Sequence, residues 1–497
     1  MTEPLSPELV ARVADLVAAA AAKDHVRGIA WGIVLDGALA ACGGFGQLND
    51  GLGTPDQHSL FRIASMTKSF TAAAIMHARD AGRLRLDDLV EKYVPEVSNW
   101  TMPTADSPLV TVRHLLTMSA GLATDDAWAD RHMDISQADF RALVADGLTF
   151  AFTPGEAFQY SNLGYGLLGQ VIERASGLRA QTYITRYFLR PLGMMATVWS
   201  LDDVTPTTQV AQGFYTIDDE WTPDGEPVGD GCIAPMGGIF TTVSDLAKWV
   251  AFLAAAWPAT DESDDAPLSR ASRREMQRVH TDMPILMVEA EVAKRTRLSV
   301  AGYGMGVNVT MDTRVGRVIN HSGGLPGFGS NMRWVPGKGV GIMAFGNERY
   351  APMGYLTYDI LDALVDAGVI PESTDYRGAT SDSNAVRAAL ASLVSVLNDW
   401  DDATIHGLVA DNVFLDESLD RRRSQAAQTI AAHGLLTIDS IDIESGSMGI
   451  ATVSGANSGA KLLVDVMLTP HARPLIQTYG IEPVNDSAEP TPLRDEA

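Results

Sequence analysis

Strand-like segments lie at both ends of a long, mostly helical stretch of this chain, and this arrangement limits the folds it can adopt. Residues 28–35 form an apolar run typical of a buried strand, followed by the turn signal Asp36-Gly37 and a plausible returning strand at 38–45. The later strand-like segments are 307–311, 317–320, 329–335 and 339–345. One antiparallel sheet that joins both ends would bury them all. The sequence therefore predicts an α+β fold, with an antiparallel sheet flanked by helices and a mainly helical subdomain.

Helical periodicity predicts the elements between and around these strands. Apolar residues recur at helical spacing over 7–24, 66–81, 112–118, 136–145, 165–175, 242–255 and about 351–367. Between them, the stretches 123–135, 201–232 and 257–300 carry no recognisable specificity signal. We expect these three stretches to be loops that shape a pocket.

The composition changes near Ile370, and the length of 497 residues already exceeds what one hydrophobic core usually serves. Residues 371–383 are polar and lack apolar periodicity, as linkers do. Helical and then strand-like patterns follow. The predicted organisation is a main domain at 1–370, a linker at 371–383, a C-terminal α+β module at 384–482 and a disordered tail at 483–497. The order of elements in the module resembles the cone-shaped fold of nuclear-transport-factor-like proteins.

The charge balance excludes several classes of partner. Lys and Arg number 37 against 62 Asp and Glu, a net charge of −25, so phosphate backbones and anionic lipid surfaces are repelled. The first apolar stretch, 10–22, is interrupted by Arg12 and Asp15 and follows no basic cluster, so it does not resemble a signal peptide. We expect a cytoplasmic protein with no nucleic-acid or membrane partner.

Cysteine and histidine usage gives no sign of a metal centre. Cys42 and Cys232 are the two cysteines; one bridge is conceivable, but two buried free thiols are favoured. In the C-terminal module, His406, His433 and His471 are expected to be ordinary surface or turn residues. No metal or organic cofactor is expected.

The segment Ser65-Met66-Thr67-Lys68 carries the clearest chemical signal. Residues three apart share one face of a helix, so a serine at the helix start lies near Lys68. A lysine that is partly desolvated has a lowered pKa and can take the serine proton, which activates the hydroxyl for acyl transfer. The competing interpretation is an ordinary N-cap serine with an exposed lysine. A second match, Ser458-Gly-Ala-Lys461, lies in a predicted turn and is dismissed.

Two further segments could complete such a site. Tyr160 could carry a proton, and Asn162 could orient a substrate amide or the lysine; alternatively, Asn162 caps the following helix and Tyr160 only packs. His321 could supply a hydrogen bond or a positive charge at the pocket edge. Gly323 and Gly324 would let a substrate lie against the strand backbone. The alternative there is a plain glycine-rich turn.

Taken in order, these residues resemble the serine β-lactamase and penicillin-binding-protein superfamily. The likeness is closest to its class C β-lactamase-related branch, which includes esterases, D-aminopeptidases and D-alanyl carboxypeptidases. It covers about residues 8–368. The similar segments are 61–68, 111–122, 191–194, 237–245 and 323–327.

The resemblance implies a role for each residue. Ser65 would be the acylated nucleophile and Lys68 its proton acceptor. Tyr160 would share that proton, Asn162 would hold the substrate and the lysine, and the N–H groups of Ser65 and Gly324 would form the oxyanion hole. The function implied is a serine hydrolase that cleaves an ester or amide bond of a small molecule.

One position departs from the superfamily pattern. His321 stands where β-lactamases and penicillin-binding proteins usually carry lysine, and a neutral histidine is a poor partner for a substrate carboxylate. This favours an esterase or D-aminopeptidase over a β-lactamase or carboxypeptidase. An acyltransferase using the same acyl-enzyme and a non-catalytic binding protein stay open as alternatives. The C-terminal module could cover the active-site mouth, bind a ligand or make the protein a homo-oligomer.

Overall fold

A computed structural model describes residues 5–51, 53–225, 229–283, 286–290, 295–372 and 383–484 of the chain. The chain divides into two compact units, residues 1–378 and 379–497. The division falls within the predicted linker, of which residues 373–382 lie outside the described residues, as do 485–497 of the predicted tail. Within the described ranges, no helix is both long and apolar enough to cross a membrane.

The first unit contains all the motifs singled out in the main domain. Its strands are β1 (Gly28–Leu35), β2 (Ala38–Gly46), β3 (Phe61–Arg62), β4 (Phe214–Ile217), β5 (Glu220–Pro223), β6 (Phe240–Thr241), β7 (Thr281–Asp282), β8 (Leu286–Ala290), β9 (Arg295–Tyr303), β10 (Asn308–Asp312), β11 (Gly316–Leu325), β12 (Phe328–Val335) and β13 (Val340–Gly346). Its helices are α1 (Pro7–Lys23), α2 (Thr67–Asp80), α3 (Val112–Leu116), α4 (Asp126–Ala129), α5 (Gln137–Asp146), α6 (Asn162–Ser176), α7 (Ala180–Ile184), α8 (Val243–Ala254), α9 (Arg270–Met276) and α10 (Met353–Asp366).

The large sheet joins the two ends of this unit, as the strand pattern predicts. In the described part of the unit its order is β2-β1-β13-β12-β11-β10-β9-β7, with β8 paired to β9, and all of these pairings are antiparallel. The early strand β1 pairs with the late strand β13 from Ile29↔Gly346 to Leu35↔Val340. The predicted α+β fold is confirmed.

Both faces of the sheet are covered, which explains why β1 and β13 are apolar throughout. Alternate side chains of a strand point to opposite faces. In β13, Ile342 and Ala344 join a core with α1 and α10, whereas Met343 and Phe345 join the core of the helical block. The helices are therefore divided between the two faces of the sheet.

Two of the stretches expected to be loops contain sheet strands or a hairpin. The stretch 257–300 holds α9 and β7, β8 and most of β9, which extend the large sheet; 201–232 holds the β4–β5 hairpin. In the third, 123–135, the short helix α4 forms. Apart from β9, these elements have seven residues or fewer, too few to show a clear apolar period, which is why the sequence pattern missed them.

The second unit packs helices on a small antiparallel sheet. It comprises α11 (Asn384–Asn398), α12 (Asp402–Leu408), α13 (Asn412–Asp416), α14 (Leu419–His433), β14 (Leu436–Ser445), β15 (Met448–Gly455), β16 (Lys461–Leu468) and β17 (Ile476–Pro483). The strands follow in chain order. Alternate residues of β15 and β16, such as Val453 and Val464, are buried and pack against the apolar face of α11. The likeness to a cone-shaped fold stays a prediction.

Candidate active site

Ser65 lies in a tight turn that the surrounding sheet holds in place. The turn is a 3₁₀ helix at Ala64–Met66, directly before α2, and Ala64 has the left-handed φ of 50° that non-glycine residues seldom adopt. Ile63 just before it donates to the Ile239 carbonyl at 3.0 Å and accepts from Ser330 Oγ at 2.8 Å. Ser65 itself is partly exposed. Its hydroxyl is thus accessible while the backbone beneath it is fixed.

Lys68 is fully buried one turn further along, with its amine close to that hydroxyl. Nζ lies 2.9 Å from Ser65 Oγ, 2.7 Å from Asn162 Oδ1 and 2.8 Å from the Met236 carbonyl oxygen. The last two atoms can only accept hydrogen bonds. A neutral amine has two hydrogens, so donating both of them to these acceptors turns its lone pair toward Ser65.

The environment of Lys68 favours this neutral form. Burial lowers the pKa of Lys68 to about 7, although the negative charges of Asp126, Asp130 and Asp125 act in the opposite direction. An amine with a pKa near neutrality is present as a free base in a large fraction of molecules at physiological pH. The alternative of an exposed lysine beside an ordinary capping serine is therefore wrong.

Tyr160 lies against the same amine and keeps its proton. Its ring centroid is 4.8 Å from Lys68 Nζ. Burial of the hydroxyl raises the pKa of Tyr160 well above its ordinary value of 10, although the nearby Ser65 side chain lowers this pKa somewhat. At neutral pH this residue is therefore a phenol and not a phenolate; its role as a proton carrier stays a prediction.

Asn162 is the first residue of α6 and is not its cap. Ser161 caps the helix by accepting from the Gly164 N–H at 3.2 Å, and Asp125 accepts from the Asn162 and Leu163 N–H groups at 2.7 Å each. The Asn162 side chain is thereby left to make contacts outside its own helix. The capping alternative for Asn162 is wrong.

The amide of Asn162 links the lysine to a carboxylate. Its Oδ1 accepts from Lys68, and its Nδ2 donates to Asp126 Oδ1 at 2.6 Å. A carboxylate can only accept, so Asp126 fixes which end of the amide faces the amine. Asp126 therefore orients the amide that accepts from Lys68.

Sequence reasoning missed the acidic residues around the amine. Asp125 and Asp126 lie at the start of α4, and Asp130 lies directly after it, in a stretch expected to be a featureless loop. Burial raises the pKa of Asp130 to about 6, against the effect of a hydrogen bond from Tyr350. The consecutive acids at 125 and 126, right after the Ser-Ala-Gly-Leu segment at 119–122, were the available signal.

His321 is buried and neutral, and is not a cation at the edge of a pocket. It is 3% exposed, and burial together with the nearby Lys68 lowers its pKa to about 3. Nδ1 lies 2.6 Å from the Ser322 carbonyl oxygen and Nε2 lies 3.2 Å from the Tyr303 hydroxyl. A carbonyl oxygen only accepts, so Nδ1 carries the hydrogen and Nε2 accepts from Tyr303. The idea of a positive charge at this position is wrong; a hydrogen-bonding role stays a prediction.

The glycines after His321 lie within β11, not in a turn. A Cβ on Gly323 would lie 2.2 Å from the Ile63 carbonyl oxygen, so only glycine lets the strand approach the turn that holds Ser65 this closely. β10 begins at Asn308, opposite Asn320, and so pairs with no later residue of β11, whereas β12 continues to pair through Leu325. Among the described residues, 321–325 therefore present one strand edge without a neighbour, beside Ser65.

The remaining candidates lie elsewhere or have no partner in the site. Cys42 and Cys232 are free and half-buried, and Cys42 Sγ donates to Gln57 Oε1 at 3.2 Å. The second serine–lysine match has no helix: Ser458 lies in the turn before β16, and Lys461 is exposed. No cluster of three or more His, Cys, Asp or Glu in the described ranges is arranged to hold a metal ion.

Comparison with known proteins agrees with this geometry. The profile of the beta-lactamase family matches residues 13–366, which is most of the chain. The chain belongs to the beta-lactamase family. The recognised superfamily is therefore confirmed.

Curated relatives are similar over part of their length. Penicillin-binding protein 4* of Bacillus subtilis (strain 168) is 28% identical over 290 residues, which cover 55% of this chain and 58% of that protein. Protein flp of Staphylococcus aureus (strain MW2) is 29% identical over 236 residues, 46% of each chain. The match thus spans only about half the length of these relatives.

Solved structures share the fold at low sequence identity. The octameric penicillin-binding protein homologue from Pyrococcus abyssi has a TM-score of 0.61 at 21% identity, covering 95% of this chain and 99% of that one. The protein described as "EstCE1, a hydrolase with promiscuous acyltransferase activity" has a TM-score of 0.57 at 18% identity, covering 72% and 98%. These likenesses establish the architecture.

Proposed function

We propose that this protein is a serine hydrolase that cleaves an ester or amide bond of a small substrate through an acyl-enzyme on Ser65. The observation that carries the proposal is the 2.9 Å contact between Lys68 Nζ and Ser65 Oγ, with both hydrogens of the neutral amine donated to Asn162 Oδ1 and the Met236 carbonyl oxygen. Membership in the beta-lactamase family supports it.

Acylation would proceed by three proton transfers. Lys68 takes the Ser65 proton as Oγ attacks the substrate carbonyl carbon, and the negative charge on the carbonyl oxygen is stabilised by the N–H groups of Ser65 and Gly324. When the intermediate collapses, the bond to the leaving group breaks. The leaving group takes a proton from Tyr160, which recovers one from Lys68.

Deacylation would repeat these steps with water. Lys68 accepts a proton through the Tyr160 hydroxyl as water attacks the acyl carbon, and the ester bond to Ser65 Oγ breaks. Ser65 regains its proton and the acid is released. The attacking water thus supplies the proton that replaces the one lost with the leaving group, so Ser65, Lys68 and Tyr160 regain their starting protonation states and no external cofactor enters the cycle.

The charges near the site suggest which substrates fit. Asp125, Asp126 and Asp130 lie near Lys68, and His321 is neutral. A substrate carboxylate would meet net negative charge and find no fixed cation in the position proposed for His321. We therefore propose a neutral or cationic ester or amide, and we expect nitrocefin, which carries a carboxylate, to be a poor substrate compared with a short-chain ester.

Replacing Ser65 with alanine tests the proposal. Ser65→Ala should abolish hydrolysis of p-nitrophenyl acetate with an unchanged melting temperature, because the nucleophile is lost and the fold is kept. Ser458→Ala is the matched control, since it alters the second serine–lysine motif and should retain full activity. A fluorophosphonate probe should label the wild type at Ser65. Undiminished turnover by Ser65→Ala would overturn the assignment.

An acyltransferase is the second candidate, since the same acyl-enzyme can pass its acyl group to an alcohol or amine. The description of EstCE1 as a hydrolase with promiscuous acyltransferase activity supports keeping it. Partition of products between the acid and a new ester, measured with an added alcohol, separates the two. The octameric homologue supports self-association, which stays a proposal for this chain.

A further inference from the structure

Tyr350 reaches from the sheet to the acidic segment beside the nucleophile. It follows β13, has the left-handed φ of 52°, and donates its hydroxyl to Asp130 Oδ2 at 2.8 Å. Its ring lies directly on β11, because a Cβ on Gly324 would be 2.7 Å from Tyr350 Cδ1. The side chain is 47% exposed. A bulky, strained and open residue thus connects the two segments that flank Ser65.

The residues next to Asp130 and Tyr350 make a second link between the α4 segment and the segment after β13. Arg131 follows Asp130 and contacts Asp224 at 3.1 Å; Arg349 precedes Tyr350 and binds both oxygens of Asp224 at 2.7 Å. The Asp224 side chain is buried, and despite that burial the two arginines hold its pKa low. We call these five residues the Tyr350 clasp. Two parallel links hold it more firmly than the single tyrosine hydrogen bond would.

The clasp lies at one end of the free edge of β11. His321 and Tyr303 lie at the other end, where Phe158 packs on Tyr303 at 5.7 Å and Tyr160 is close. His321 and Gly324 are three residues apart on the strand, about 10 Å. Because Tyr160 gives its proton to the leaving group, that group departs at the His321 end. The acyl group then extends toward Gly324 and the clasp.

We propose that Tyr350, held by its clasp, is a specificity-determining residue that limits the length of the acyl group the enzyme accepts. The proposal rests on the serine hydrolase function. The ring stands where a longer acyl chain would continue past Gly324, so short acyl groups such as acetyl and butyryl fit and octanoyl does not. A substrate with a short acyl group is the chemical class that this end of the cleft selects.

The test compares p-nitrophenyl acetate, butyrate and octanoate as substrates of full-length variants. Tyr350→Ala should raise the octanoate-to-acetate ratio of kcat/KM by about tenfold or more, because it removes the ring. Tyr350→Phe keeps the ring and loses the bond to Asp130, so its ratio should rise less. Tyr355→Ala is the matched control: Tyr355 is 65% exposed on α10 and should leave the ratio unchanged.

The outcomes distinguish a failure of the Tyr350 proposal from a failure of the proposed serine hydrolase function. An unchanged ratio in Tyr350→Ala, with fluorophosphonate still labelling Ser65, overturns the role of Tyr350 and leaves the hydrolase intact. Full activity in Ser65→Ala overturns the hydrolase first. If Tyr350→Ala unfolds, as judged by melting temperature, the ratio in Tyr350→Phe decides: a rise supports the clasp, and a wild-type value refutes it.

Discussion

Replacing Asp126 with asparagine separates the two effects of this residue on the base. In Asp126→Asn, the new side-chain carbonyl could still accept from the Asn162 amide, but the negative charge that raises the Lys68 pKa would be gone. The Lys68 pKa should therefore fall below its present value of about 7. Because the neutral amine is the active form, the acid limb of the pH profile should move to lower pH.

The structure sets the size of this shift. The Asp126 carboxylate is separated from Lys68 Nζ by the Asn162 amide and one hydrogen bond on each side of it, a distance of roughly 7 Å. Two unit charges at roughly this distance interact by about 2 kcal/mol at an effective dielectric constant near 20. Asp126 is exposed, so water and salt reduce this to about 1 kcal/mol, or somewhat under one pKa unit.

The assay is kcat/KM for p-nitrophenyl acetate between pH 5 and pH 9 at constant ionic strength. The wild type should lose about tenfold per pH unit below about 7, as the amine becomes protonated. Asp126→Asn should lose activity at a lower pH. Asp134→Asn is the control, since Asp134 is exposed on the same segment and is not among the charges that raise the Lys68 pKa. An acid limb that stays in place, or moves to higher pH, would refute the electrostatic role of Asp126.

Gly323→Ala should reduce kcat/KM by about 100-fold and destabilise the fold by about 1–3 kcal/mol, because the new Cβ would lie 2.2 Å from the Ile63 carbonyl oxygen. Gly53→Ala, where nothing lies within 4 Å of the added Cβ, is the control in ester turnover and urea titration, and equal activity of the two variants would contradict the close approach. Asn162→Ala should lower kcat by about 100-fold, since Lys68 loses one of its two acceptors for N–H groups. Steady-state kinetics measure this, and an unchanged kcat would show that Met236 alone orients the amine.

The contact between the proposed nucleophile and its proposed base could be predicted from the sequence because the two residues are close along the chain. Ser65 and Lys68 are three residues apart, and the start of a helix is enough to bring them together. The same holds for the strands: β1 and β13 are apolar throughout because both faces are buried, and this pattern is visible without coordinates.

The environment of the base was not accessible, because it depends on contacts between distant segments. Asp126 accepts from Asn162 only because α4 packs beside α6. His321 resembles a pocket-edge residue in sequence, yet Tyr303 and the Ser322 carbonyl occupy both ring nitrogens. No local pattern records either contact.

The carbonyl oxygen that receives one of the Lys68 hydrogens belongs to the peptide chain at Met236, in the 3₁₀ turn Ala234–Met236. Side-chain replacement cannot delete a peptide oxygen. A substitution at Met236 can thus change the side chain without removing the hydrogen bond from Lys68, provided that the turn keeps its conformation. The hydrogen bond from Lys68 to this backbone oxygen therefore tolerates mutation at position 236. The hydrogen bond from Lys68 to the Asn162 side chain is lost when Asn162 is replaced by a residue without an acceptor.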